Sequence, residues 1–103
     1  IETSDTLARH AQRRLNALKY QDIHFRVGDG APGWPEAAPF DRIIATVAFP
    51  RRPTALLKQL SANGICLTPV GKPWATQQLI QYTRSGDLIS EHVCCPVRFL
   101  SLQ

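Results

Sequence analysis

Two acids stand where a carboxylate can meet a bound molecule. Asp29 lies in Arg26-Val27-Gly28-Asp29-Gly30, directly after the alternating run Ile23-His24-Phe25-Arg26-Val27. An apolar residue at every second place is the period of a strand with one buried face. Two glycines around an aspartate then leave its carboxylate on a tight turn whose backbone can approach a ligand closely. In open α/β sheets, ligands gather just beyond the carboxyl ends of the strands. Glu2 stands immediately before a helix start. An acid in that place suits a pair of ribose hydroxyls, because its two oxygens can accept from two vicinal donors. Each acid also has a plainer reading. Glu2 can be an acid favoured by a helix N-terminus, and Asp29 a turn residue bonding its own backbone. Spacing alone leaves both readings open.

Other candidates carry less. Gly28 to Gly33 matches G-x-G-x-x-G literally, but that motif must open a helix, and Pro32, Pro35 and Pro39 argue against one. His10, His24 and His92 are far apart and show no triad or metal spacing, so no metal site is expected. Thr46 interrupts an apolar strand near its carboxyl end, where substrate contacts gather, although a β-branched residue bonding locally explains it as well. Trp34 and Trp74 read as packing elements of their loops.

The elements that must hold these residues follow from period and punctuation. Thr3, Ser4 and Asp5 are good helix caps, and Leu7, Ala11, Leu15 and Leu18 form one apolar stripe, which predicts a helix over about 4–19. A strand over 22–27 follows, then a Gly/Pro-rich loop over 28–40. The run 41–48 is continuously apolar at its centre, as in a parallel strand covered on both faces. Pro53 suits the first position of a helix, with Leu56, Leu57 and Leu60 as its buried face and Asn63-Gly64 as its end. Residues 65–70 read as another buried strand. Gln77 to Arg84 alternates, Ser85-Gly86-Asp87 is a turn signal, and the extended stretch from Leu88 to Leu102 completes an antiparallel hairpin, with a bulge or break at Pro96. The expected architecture is a mainly parallel α/β sheet with an antiparallel C-terminal edge.

The 103 residues suit one small domain; 44% are hydrophobic and 19% charged, a globular balance. The net charge of +4 is spread along solvated faces without interleaved aromatics, so no nucleic-acid partner is expected. No apolar stretch approaches the roughly 18 residues that span a bilayer, so no membrane partner is expected. The three cysteines, Cys66, Cys94 and Cys95, are odd in number and lack C-x-x-C spacing, which fits a reducing, cytoplasmic setting.

Taken together, Ile1-Glu2, Val27-Gly28-Asp29-Gly30, Gly33-Trp34, Ala38-Pro39-Phe40-Asp41-Arg42-Ile43-Ile44, Pro53-Thr54-Ala55-Leu56, Pro69-Val70-Gly71 and Pro96-Val97-Arg98-Phe99 resemble, in order, the protein-L-isoaspartate (D-aspartate) O-methyltransferase family. The resemblance covers the whole chain. It implies a Rossmann-like S-adenosylmethionine-dependent methyltransferase fold and methylation of the isoaspartyl carboxylate in damaged proteins or peptides. By the same match Glu2 would hold the cofactor's ribose hydroxyls, Asp29 would accept from the adenine amino group, and Gly30 would present backbone beside the ring. Thr46, Val97 and Arg98 would face the substrate peptide.

The chain also departs from that pattern. The family's glycine-rich methionine-binding loop, and the serine or threonine that faces the substrate, precede the position of Glu2. Residues 1–103 are therefore expected to be a partial catalytic domain that lacks its N-terminal strand and helices, with the catalytic groups outside it. A sheet without its first strand has open central edges, which predicts pairing with a second copy or with the rest of a longer protein. Thr46-Val47-Ala48-Phe49 is bulkier than the family's usual run and would narrow the substrate cleft. The competing reading is a non-catalytic remnant that serves as an interaction module.

Overall fold

Ser4 starts the first helix: its Oγ accepts from Leu7 N at 3.2 Å, and α1 runs over Asp5–Ala17. The helix ends in a left-handed cap with Lys19 at φ 68°, where Lys19 N donates to Asn16 O at 3.0 Å and Tyr20 N to Leu15 O at 2.9 Å. These bonds satisfy carbonyls that the last turn leaves open. The computed structural model describes residues 1–102, which divide into two units, Ile1–Gly33 and the remainder from Trp34.

Two expectations fail in the first unit. The stripe on α1 is only half covered: Ala8 is buried, Ala11 and Leu15 are half-buried, and Leu7 and Leu18 are exposed. The strand over 22–27 is reduced to one parallel pair, Glu2 with Val27, and Ile23 and Val27 remain 42% and 47% exposed. The alternating pattern is real, but a ladder needs a neighbouring strand, and among the described residues of this unit Glu2 supplies a single rung.

The second unit is built on a four-stranded sheet in the order β1-β2-β3-β4. Its strands are β1 (Phe40–Ile44), β2 (Leu60–Val70), β3 (Gln77–Ser85) and β4 (Leu88–Val97). β1 and β2 are parallel, and the other two pairs are antiparallel. It is an open, mixed α/β sheet with the expected antiparallel hairpin at one edge. The 28–40 loop contains one 3-10 turn at Pro35–Ala37.

Tertiary contacts override several local signals. The helix after Pro53 is a single turn, α2 (Thr54–Leu57), with Pro53 as its cap rather than its first residue. Asn63-Gly64 does not end it; both lie inside β2. Register shifts there, because Phe40 faces Leu60 while Arg42 faces Ile65. A Cβ on Gly64 would sit 3.0 Å from Phe40 O, so the close approach of β1 needs glycine. The predicted strand 41–48 ends at Ile44. Ile44 pairs with Leu67 and Phe49 with Val70, so two extra residues leave the ladder as a bend at Thr46-Val47 before pairing resumes. The bulge falls at Cys94, between Val93 opposite Ile80 and Cys95 opposite Leu79; Pro96 keeps its place opposite Gln78. Proline is tolerated there because β4 is an edge strand. Trp74 is 94% exposed and packs nothing.

The core of this unit is Leu57, Leu60, Cys66, Ile80 and Tyr82, with Ile43, Val70 and Ile89 packed against it. Arg52 covers Tyr82, with its guanidinium carbon 5.5 Å from the ring centre, while its Nη1 bonds Glu91 Oε1 at 2.7 Å.

Candidate functional site

In the first unit Glu2 N donates to Arg26 O at 3.0 Å and Gly28 N donates to Glu2 O at 2.9 Å. The two bonds set Glu2 beside Val27 on a parallel segment, so Glu2 and the turn carrying Asp29 and Gly30 are neighbours at the backbone. The local bonds of both acids match their plainer readings. Glu2 Oε2 accepts from Ser4 N at 3.2 Å and from Thr3 Oγ1 at 3.3 Å. Asp29 Oδ1 accepts from Ala31 N at 2.9 Å, fixing the turn. One oxygen of each carboxylate is thereby oriented, and Glu2 Oε1 and Asp29 Oδ2 lie outside these bonds. Gly30 is half-buried, and its carbonyl accepts from Gly33 N at 2.9 Å.

The remaining predicted residues lie in the second unit. Thr46 is exposed on the bend after β1. Val97 closes β4 opposite Gln77, and Arg98 follows it with an exposed side chain. The segments after Thr46 and after Arg98 run side by side: Ala48 N donates to Leu100 O and Leu102 N donates to Ala48 O, both at 2.8 Å. On its other side Phe49 N donates to Pro69 O at 2.9 Å and Gly71 N donates to Phe49 O at 2.8 Å. Residues 48–49 thus form a short link held between two segments. Among the described residues no group of His, Cys, Asp or Glu could hold a metal ion.

The family model for protein-L-isoaspartate(D-aspartate) O-methyltransferases matches residues 1–103. The chain belongs to that family. It is 45% identical over 102 residues to the protein-L-isoaspartate O-methyltransferase of Maricaulis maris, covering 99% of this chain and 47% of that protein. It is 42% identical over 104 residues to protein-L-isoaspartate O-methyltransferase 1 of Nitrosospira multiformis, covering 100% of this chain and 44% of that protein. The chain therefore spans about half the length of these relatives. Among solved structures, one protein-L-isoaspartate O-methyltransferase superposes with a TM-score of 0.87 at 25% identity, over 99% of this chain and 32% of the other. A Plasmodium falciparum member of the same name, in complex with S-adenosyl-L-homocysteine, shares the fold with a TM-score of 0.80 at 20% identity, over 99% of this chain and 50% of its own.

Within this chain, sequence reading missed two features. One is Gln77, whose buried carboxamide bonds both backbone groups of Phe99. A lone glutamine at a strand start carries no signal of that contact. The other is a groove of about 330 Å³ lined by residues including Arg52, Leu57, Lys58, Arg84 and Ile89. Its residues come from two separate stretches of chain, 52–58 and 84–89, so no spacing announces it. Arg84 is already engaged there, its Nε donating to Gly86 O at 2.8 Å and its Nη1 to Leu60 O.

Neither buried ionisable group offers acid–base chemistry near neutrality. Burial pushes the Cys66 thiol up to about 11, so it is a packed hydrophobe and not a nucleophile. Tyr82 is pushed up to about 12, chiefly by burial and then by Glu91, with Arg52 opposing the shift and Cys66 adding slightly to it.

Proposed function

We propose that the protein carrying this chain is an S-adenosylmethionine-dependent carboxyl methyltransferase that acts on isoaspartyl and D-aspartyl residues and so initiates repair of damaged proteins. The observation that carries the reading is the match of the whole chain to the family, with Glu2 and the Asp29-Gly30 turn on adjacent segments.

The residues in hand fit the cofactor. Glu2 and Asp29 each have one oxygen anchored locally and a second that can accept from a ligand donor. In this proposal Glu2 accepts from the ribose hydroxyls, Asp29 from the adenine amino group, and Gly30 presents backbone beside the ring. When bound, S-adenosylmethionine supplies an electrophilic methyl group, whose transfer to a carboxylate oxygen releases S-adenosylhomocysteine. A carboxylate is already nucleophilic, so the protein's task is alignment rather than proton removal. Thr46, Val97 and Arg98 are proposed to face the substrate peptide. The Arg98 guanidinium suits an anionic side chain there. The backbone amide nitrogen that follows then attacks the ester carbonyl, expelling methanol to give a succinimide, and hydrolysis of the succinimide returns part of the residue to normal aspartate.

The same proposal takes residues 1–103 as one partial catalytic domain working in the cytoplasm, where free Cys66, Cys94 and Cys95 stay reduced. The sheet edges at β1 and β4 are proposed as self-association surfaces. Among the described residues no helix is long and apolar enough to cross a membrane.

The test is methyl transfer by the full-length protein from labelled S-adenosylmethionine to an isoaspartyl peptide and to its normal aspartyl counterpart. Transfer to the isoaspartyl peptide alone is expected. Equal transfer to both, or to neither, refutes the reading.

A further inference from the structure

Gln77 is 2% exposed, and its side chain reaches the chain beyond the end of β4. Its Oε1 accepts from Phe99 N at 2.8 Å, and its Nε2 donates to Phe99 O at 3.2 Å. In the ladder Gln77 also stands opposite Val97. β3 begins at Gln77, so no strand residue before it can pair with Phe99. A primary carboxamide carries one acceptor and one N–H donor in the arrangement of a peptide unit. Here it replaces the missing rung and prolongs the ladder by side chain.

Arg98 therefore lies between two residues held by the same partner, Val97 by the register and Phe99 by the carboxamide. Gln77 is fixed in turn: a Cβ on Gly71 would sit 2.9 Å from Gln77 Cα, so the loop backbone packs directly against it. The held segment then continues into the pairing of Ala48 with Ser101.

We infer that Gln77 is a positioning residue for substrate binding, which holds the Val97-Arg98 segment in the conformation that meets the peptide. The inference rests on the functional reading above and assigns Gln77 no contact with substrate or cofactor. Leucine at 77 loses both bonds at similar volume. Glutamate keeps the acceptor for Phe99 N and loses the donor. Lost buried hydrogen bonds of this kind correspond to about tenfold or more in an affinity.

The experiment uses the full-length protein as wild type, Gln77→Leu and Gln77→Glu. Four quantities are read: peptide KM, kcat, S-adenosylhomocysteine affinity by calorimetry, and amide exchange at Phe99. Gln77→Leu is expected to raise peptide KM about tenfold or more, to speed exchange at Phe99, and to leave S-adenosylhomocysteine affinity unchanged. Gln77→Glu turns a buried anionic oxygen toward Phe99 O, so it is expected to raise peptide KM at least as far as leucine, and it carries the test if the leucine variant fails to fold. An unchanged peptide KM in active, folded variants overturns the inference alone. So does a parallel loss of S-adenosylhomocysteine affinity, which would mark general destabilisation. Wild type that leaves the isoaspartyl peptide unmethylated overturns the functional reading, and the inference falls with it.

Discussion

Glu2 and Val27 face each other in a one-rung parallel pair, closed by bonds of 3.0 Å to Arg26 O and 2.9 Å from Gly28 N. That rung decides where both acids stand. It puts Glu2, three residues ahead of α1, beside the segment that leads into the Asp29 turn, the backbone placement on which the proposed nucleoside contacts rest.

Replacing either acid by alanine removes one acceptor for a polar ligand group, at a cost of about 1–3 kcal/mol. Glu2→Ala and Asp29→Ala are each expected to weaken S-adenosylhomocysteine binding by the full-length protein about 5- to 150-fold, read by calorimetry. Both acids also bond locally, so thermal melts should accompany the titrations. Unchanged affinity in both variants removes the assignment.

The edges of the second unit's sheet predict association. Among the described residues β1 and β4 each pair with one strand of the sheet, and Ile44 and Leu88 at these edges are 71% and 76% exposed. The 103-residue chain by itself should elute as a dimer or larger species in size-exclusion chromatography with light scattering. A compact monomer at tens of micromolar would count against exposed edges as association surfaces.

Leu60 is 1% exposed at the centre of the core cluster. Leu60→Ala should lower stability by about 2–5 kcal/mol in urea denaturation, through lost burial and the cavity left behind. Leu88→Ala, at an exposed strand start, should stay within about 0.5 kcal/mol. Equal effects would show that the cluster is not the core.

Alkaline pH should destabilise the fold. The folded pKa of Cys66 rises from 9.0 to about 11, and that of Tyr82 from 10.0 to about 12. Each group then holds its proton longer when folded than when unfolded. Their stabilisation is complete below the unfolded values and is lost as pH climbs through the folded ones. Urea midpoints should therefore fall from about pH 9 upward, and Tyr82→Phe should shrink the part of the loss above about pH 10. A Tyr82→Phe profile identical to wild type would remove tyrosine from the account.

Local chemistry was legible where its cause is local. Ser4 caps α1 because a hydroxyl one residue ahead of a helix meets its free N–H groups, whatever the rest of the chain does. Gly86-Asp87 turns the hairpin for an equally short-range reason. Signals whose outcome depends on a distant neighbour misled. Asn63-Gly64 reads as a helix end, yet the glycine is there to admit Phe40 O. Ile23, Phe25 and Val27 alternate as a strand does, yet among the described residues only Val27 of the three finds a ladder partner.

The sequence by itself determined the first helix and its N-cap, the hairpin turn, the family, and the two acids with the Gly30 turn as candidate ligand contacts. The helix, the turn and the two acids follow from residue type and spacing within a few positions, whereas the family and the part expected of Gly30 rest on a resemblance spread over the whole chain. Only the tertiary structure decided that β2 runs through Asn63-Gly64, that Thr46-Val47 leaves the ladder, that Cys94 takes the bulge, and that Gln77 grips Phe99. Each of these is a contact between residues distant in the chain, and it is the competition among such contacts for a limited set of backbone hydrogen bonds that settles where each strand ends.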